Sequence, residues 1–472
     1  MMISLPTKVV YGKRSATMPR SETLKPTSVS RRTFLGGTLA ALGAGILPVS
    51  CGSEPTPTGS APAKTASFPE KLVFWPEGGE TNASYKAWVA RIADFEKAYP
   101  KTKVEMTDTP DRDAKLVTVV AAGTPPDVSV FDRYTIFGAS QTKLFMDMGP
   151  MAKSAGIKGE DHQPWCWDEV WREGKLWGLP YSTDTRMIYV NAEHLKKAGI
   201  PATPPKTLDD FDKIARQLSI GVPGTIQRLG FVPWGSWNNW RLYGWGWIFG
   251  GDWYDPKANQ VSMDKAQNIA ALEWEVARAG ELGGFASVEA FRKSQQSNVP
   301  MDMFKAGFLS TIINSNSQLS GMFAKKDMDW IVWPIPPAAG VARSHTWSGG
   351  YATVMPAGVK APDAAFTLAK FLSDDAFQLV QSQTGGGRLP TIKKVAADPY
   401  WNSVDGRVKQ FIEQLPNSHI RPPIVQIPIL NAQLDGPDGA ETLALQGKGS
   451  AKELLAQASQ RVNAAIKEGR AS

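Results

Sequence analysis

From Lys71 onward, apolar runs of strand length alternate with stretches whose apolar residues recur at helical spacing. Leu72-Val73-Phe74-Trp75 reads as a short buried strand ending in a Pro-Glu-Gly-Gly turn. A helix follows, with Trp88, Ile92, Phe95 and Tyr99 on one face and Pro100 as its stop. Val104-Glu105-Met106 reads as a second strand, Ala114 to Ala122 as a helix closed by Gly123, and Val128-Ser129-Val130-Phe131 as a third strand. A βαβαβ order of this kind predicts a parallel sheet with helices on its faces. Further on, Thr207 and Asp210 have the spacing of a capping box before a helix with Phe211, Ile214, Ala215 and Leu218 on one face. Pro362 opens another helix running to Leu372, and Ala451 to Lys467 reads as a long terminal helix. The predicted fold class is α/β, in two units. The chain has no repeat that would indicate a solenoid or propeller.

The first 67 residues follow a different pattern. Ser30-Arg31-Arg32-Thr33-Phe34-Leu35 resembles a twin-arginine export motif, with Arg31 and Arg32 as its signature pair. The apolar stretch from Phe34 to Val49 is short and diluted by Gly36, Gly37, Gly43 and Gly45, as suits a cleaved signal better than a membrane span. Leu47-Pro48-Val49-Ser50-Cys51 resembles a lipoprotein processing site, with Pro48 where leucine is preferred, so Cys51 is the expected lipidation site. Ordinary cleavage after Ala61-Pro62-Ala63 is the alternative. Gly52 to Ser67 holds no aromatic or branched aliphatic residue and is expected to be a flexible tether.

Charge matters only through its location. The net charge is +7, which invites a nucleic-acid reading, but residues 1–50 carry seven basic side chains and one acid, so the remainder is left at +1. A nearly neutral body lacks the footprint of a polyanion binder. With two cysteines, Cys51 and Cys166, the folded body is expected to rely on its core and not on disulfides. The four histidines match no zinc spacing, so no metal site, cofactor or catalytic residue is expected.

The candidate chemistry is aromatic and polar. Of 17 tryptophans, Trp234, Trp237, Trp240, Trp245, Trp247 and Trp253 fall in one glycine-rich segment that reads as loop-like. Indole faces attract the C–H patches of a pyranose while hydrogen bonds hold its hydroxyls, so the cluster points to sugar. Each tryptophan taken singly is equally at home in a core. Glu77 and Glu80 follow the first strand, and Asp132 and Arg133 follow the third, at the carboxyl ends where open α/β sheets bind ligands.

The segments then match a family. Phe95 to Pro100, Ala121 to Val128, Gly174 to Arg186 with Tyr189-Val190-Asn191, Pro204 to Phe211, Phe304 to Gly307, Ile312 to Ser315 and Trp347 to Tyr351 resemble, in order, segments of the type 1 extracellular solute-binding proteins, the maltose-binding-protein-like family. The similarity runs from about residue 70 to the end. It implies a type II periplasmic-binding-protein fold, in which two α/β lobes joined by hinge crossings close on a ligand in the cleft between them. It implies an N-lobe of residues 68–181 plus 348–390 and a C-lobe of 182–347 plus 391–472, after a signal segment 1–50 and a tether 51–67. It also implies a monomer that captures a sugar or oligosaccharide and passes it to ABC permease subunits, outside the cytoplasm on a lipid anchor. By position, Trp75, Glu80, Asp132, Asp184, Arg186, Trp240, Trp247, Asn314, Trp347, Gly349 and Arg388 are the expected ligand-binding residues, with the four tryptophans stacking.

Two other readings remain compatible with these residues. A secreted carbohydrate-active enzyme would also use tryptophans and a carboxylate pair, for example Glu80 with Asp132. Within the same fold, a binder of a glycerol-phosphate ester could use Arg133, Arg186 or Arg388, and a polyamine binder would need a strongly acidic pocket.

Overall fold

The computed structural model describes residues 68–469 apart from 81, 83, 385, 386 and 423. The chain from Lys64 to Ser472 forms a compact unit of its own. The expected export signal at Arg31-Arg32 and the anchor at Cys51 lie outside the described residues.

The chain begins as its apolar pattern dictates. Strand β1 (Lys71–Trp75), helix α1 (Tyr85–Ala98), β2 (Lys103–Met106), α2 (Arg112–Ala121) and β3 (Val128–Asp132) follow one another, and β1 pairs in parallel with both β2 and β3. Then come α3 (Arg133–Gln141), α4 (Pro164–Val170) and β4 (Leu179–Pro180). The second unit opens with β5 (Arg186–Asn191), α5 (Leu208–Leu218) and α6 (Leu242–Ile248). Helix α7 (Ala266–Glu281) precedes β6 (Thr311–Ser315), β7 (Trp330–Trp333) and β8 (Thr346–Trp347). Strand β9 (Tyr351–Val354), helix α8 (Pro362–Phe371) and α9 (Asp375–Gln383) return to the first unit. The chain ends through β10 (Ser418–His419), α10 (Ile427–Asp435), α11 (Ala440–Leu445) and α12 (Ala451–Glu468).

Two sheets result. The first runs in the order β2-β1-β3-β9-β4, and β9 is antiparallel to both of its neighbours, so the sheet is mixed where the sequence pattern predicts a parallel one. The second, β6-β5-β7, is antiparallel throughout. All six residues of β5 are buried because both edges are paired and both faces covered. One core, with Phe74, Trp88, Phe95, Val130 and Tyr181, fills the first sheet's side. Two others, around Trp240, Trp245, Trp253 and Trp333 and around Tyr189, Trp234, Trp237 and Phe304, fill the second. Thr207 caps α5 as expected, its Oγ accepting the Asp210 N–H at 3.2 Å and donating to the Asp210 carboxylate at 2.8 Å. This is a mixed α/β, two-lobed architecture.

The lobes are joined where the chain passes from β4 to β5 through residues 181–185, back from β8 to β9 through 348–350, and across again near Leu389. These segments bond to one another. The Tyr351 N–H donates to Ser182 O at 3.2 Å, Thr183 and Leu389 exchange backbone bonds at 2.8 and 3.1 Å, and the Ser348 hydroxyl donates to Asp184 O at 2.8 Å. Arg133, at the start of α3 and fully buried, fastens the bundle. Its Nη1 donates to Ser182 O, its Nη2 to Gly349 O at 2.7 Å, and its Nε to the Glu169 carboxylate at 2.9 Å. Gly350 is needed here. It has a φ of +130°, and a Cβ would collide with Ser182 O and Arg133 Nη1.

Arg133→Met should destabilise the protein by about 3–5 kcal/mol, because it leaves Glu169 charged, buried and without its partner. Adding Glu169→Leu should recover part of that loss, read as the denaturant midpoint of the single and double variants.

Candidate functional site

A cavity of about 750 Å³ opens on the second lobe beside the crossing. Its walls include Trp234, Trp237, Asn239, Trp240, Arg241, Asn314, Trp347, Asp435 and Glu441. The 238–239 turn is laid along the edge of β6. The Asn239 N–H donates to Ile313 O at 3.0 Å, and the Ile313 N–H donates to the Asn238 side-chain oxygen at 3.0 Å. That register sets Asn239 beside Asn314, 3.4 Å apart, and beside Arg186 at 3.3 Å.

The expected site residues fall into three groups. Trp240, Asn314 and Trp347 line the cavity together, and Asp184, Arg186 and Gly349 meet one another beside Trp347, outside that lining. Arg186 pairs with Asp184 and donates to Trp347 O at 3.1 Å, and its guanidinium lies 4.4 Å from the Trp347 ring centroid. The Gly349 N–H donates to Asp184 at 2.5 Å, and a side chain there would press on that carboxylate at 3.3 Å. Asp132 and Arg388 stand across the seam on the first lobe. Asp132 caps α3 through the Tyr134 N–H at 2.9 Å, and Arg388 pairs with Glu77 and lies 5.0 Å over the Tyr351 ring. Burial draws Arg388 down to about 10.

The remaining three lie apart from the cavity lining. Trp75 packs half-buried against the first core, and Glu80 is exposed in the turn after β1. Trp247 is buried in α6 against Tyr243, with His419 stacked on it at 5.0 Å. The tryptophan-rich segment is thus mostly core and not loop. Every residue of α6 is buried, and Trp245 and Trp253 are fully enclosed, their indole N–H groups donating to Pro233 O and Tyr243 O. Gly244 and Gly246 let Trp240 and Trp253 pack onto that helix, since a Cβ at either position would run into an indole. Arg133, raised above as a phosphate ligand, is spent on the crossings.

The structure adds residues that the sequence did not single out. Tyr134, from the first lobe, packs against the second lobe's core, with its hydroxyl 3.3 Å from Asn431. Arg421 lies face-on to the Tyr134 ring at 3.2 Å, 5.6 Å from the Trp347 centroid and 3.8 Å from Asp132. Tyr243 packs tilted against Trp347, ring centroids 5.0 Å apart, and Nη1 of Arg241 donates to both Asp435 carboxylate oxygens at 2.6 and 2.8 Å. No short motif marks these positions. Each is brought in by the path of α3, α6 or the segment after β10.

Several buried polar atoms of this cluster have no hydrogen-bond partner: Nε1 of Trp240 and Trp347, the Tyr243 hydroxyl, Nε of Arg186, and Nε and Nη2 of Arg421. Buried donors without acceptors are costly unless a ligand supplies them. Among the described residues no group of three or more potential metal ligands occurs, and no helix is long and apolar enough to cross a membrane.

Behind the cavity, Glu441 accepts the Gly235 N–H at 3.1 Å and is buried beside Glu275. Burial first, then the negative charge of Asp435, pushes Glu441 up to about 8. Burial and then Glu441 raise Glu275 well above the carboxylate range.

The sequence profile of the family described as bacterial extracellular solute-binding protein matches residues 78–379. The maltotriose-binding protein of Pyrococcus abyssi is 20 % identical over 345 residues, which cover 72 % of this chain and 70 % of that protein. The GacH receptor of Streptomyces glaucescens, solved unliganded and with acarbose, superposes with a TM-score of 0.68 at 20 % identity, over 84 % of this chain and 98 % of that one. The cyclic α-maltosyl-1,6-maltose binding protein of Arthrobacter globiformis gives a TM-score of 0.70 at 18 % identity, over 85 % and 100 %.

The folded chain holds protons at Glu275 and Glu441 that the unfolded chain releases near pH 4.5, so this pair stabilises at low pH and its contribution is lost as pH rises toward about 8. Glu441→Gln should flatten that part of the stability profile and raise the melting temperature at pH 8, measured by thermal unfolding from pH 5 to 9.

Proposed function

The chain belongs to the bacterial extracellular solute-binding protein family, and we propose that it captures a sugar or oligosaccharide for an ABC importer by hinged closure of its lobes. The observation that carries this reading is the set of aromatic rings and unpartnered donors gathered around Trp347 at the lobe crossing. A pyranose offers apolar patches to the rings of Trp240 and Trp347, and hydroxyl oxygens to the buried N–H and O–H groups. The relatives are named for, or solved with, carbohydrates of the same kind: maltotriose, acarbose and cyclic maltosyl-maltose.

Closure would bring Asp132, Tyr134 and Arg388 of the first lobe onto a ligand seated against the second. We read the lobes as 68–181 plus 348–390 and 182–347 plus 391–472, and the working form as a monomer. Membership of an extracellular family carries export with it. The twin-arginine route through Arg31 and Arg32, a lipid tether at Cys51 and delivery to a membrane permease complete the proposal. The family and its solved neighbours are binding proteins and not enzymes. A polyamine ligand is disfavoured, because Asp184, Asp435 and Glu77 are each already paired with an arginine.

Titrating the full chain with a panel of mono- and oligosaccharides while following tryptophan fluorescence should give a saturable change, with the sugar recovered intact. Trp347→Ala should weaken binding roughly three- to tenfold, the worth of one stacked ring of about 0.5–1.5 kcal/mol. A flat response to every sugar, or recovery of a cleaved product, would overturn the reading.

A further inference from the structure

Arg421 is ninety per cent buried, yet its Nε and Nη2 make no hydrogen bond. These two nitrogens share one edge of the guanidinium, the fork that meets two coplanar oxygens of an oxyanion side-on. The other arginines of the cluster are already neutralised: Arg186 by Asp184, Arg241 by Asp435 and Arg388 by Glu77. Arg421 has only Asp132, at 3.8 Å, and the near oxygen of that carboxylate already accepts the Tyr134 N–H at 2.9 Å. Burial disfavours the cation, and the carboxylates of Asp132 and Glu169 offset that cost.

The sign of the unpartnered groups is one-sided. Trp240 Nε1, Trp347 Nε1, Arg186 Nε and the Arg421 edge can only donate, and Tyr243 adds a hydroxyl. A neutral sugar hydroxyl brings a hydrogen for every oxygen and needs an acceptor as well as a donor. A group that only accepts matches these unpartnered groups better; the cavity wall beside them, which shares Trp240 and Trp347, also holds the carboxylates of Glu289, Asp302, Asp435 and Glu441.

Resting on the sugar-binding reading above, we infer that the ligand bears an anionic group, a uronate carboxylate or a phosphate ester, and that Arg421 receives it beside Trp347. The ring of Tyr134 under the guanidinium and the Trp347 ring beside it keep water from that edge, which strengthens a charge-assisted pair. Because Tyr134 comes from the first lobe and Arg421 from the second, the anion would be gripped only when the lobes meet.

The test is isothermal titration of the full chain with digalacturonate, glucose 6-phosphate, maltotriose and mannobiose, at low and high salt. Tighter binding of digalacturonate or the phosphate than of the neutral sugars, weakened by salt, is expected, and the tighter of the two names the source of the charge. Arg421→Gln should then cost the charged ligand roughly tenfold to a hundredfold, as loss of a hydrogen bond to a charged group does, with Arg421→Lys intermediate. Neutral sugars bound as well as or better than acidic ones, with Arg421→Gln without effect, would overturn the inference and leave the sugar reading standing. Binding of neither digalacturonate nor glucose 6-phosphate, with a neutral sugar of the wider panel bound, would also overturn the inference, and only a flat response across the whole panel would remove both.

Discussion

A guanidinium buried away from water needs an acceptor for each of its nitrogens, and Arg133 finds them in the main chain of the two crossings and in Glu169. That requirement fixes more than one ion pair. Ser182 and Gly349 belong to the two segments that cross between the lobes in opposite directions, so holding both carbonyls on one side chain sets their spacing. Asp184 then reaches the Gly349 N–H, and Arg186 is carried to the Trp347 ring. The cluster beside Trp347 is built from residues whose positions follow from that arrangement. Gly350 and the close approach at Gly349 leave no room for side chains that would spread the crossings.

On this frame the second lobe spends most of its tryptophans on packing. Trp245 and Trp253 tie their indole N–H groups to backbone carbonyls, and Trp234 and Trp237 share the Glu289 carboxylate at 3.2 and 2.8 Å. Trp240 and Trp347 differ because their N–H groups are buried and unspent, and the two rings stack 6.0 Å apart at the cavity wall. A satisfied indole indicates core, and an unsatisfied one beside a void indicates a seat for something else. The same distinction separates Arg133, fully bonded, from Arg421, bonded at neither nitrogen of its outer edge.

Much of the fold was legible in the sequence because β1 to β3 and their helices obey simple periodicity, and those elements fall within a residue or two of the pattern. The antiparallel β9 and the wholly antiparallel second sheet were not, because pairing direction depends on the route taken by long connections that carry no local signal. Within the site, Asp184, Arg186, Trp347 and Gly349 were readable from their place in crossing motifs, and the structure brings them together. Trp247 was not, since glycines that suggest a loop here let indoles pack against a short helix. Tyr134, Tyr243 and Arg421 gain their meaning from neighbours more than a hundred residues away in sequence.

Small-angle X-ray scattering of the full chain, with and without a saturating sugar found by titration, tests hinged capture most directly. A radius of gyration that falls on binding, and returns when the sugar is dialysed away, is the expected result. Stoichiometric binding with an unchanged radius of gyration would contradict it, leaving a rigid carbohydrate site in place of a clamp.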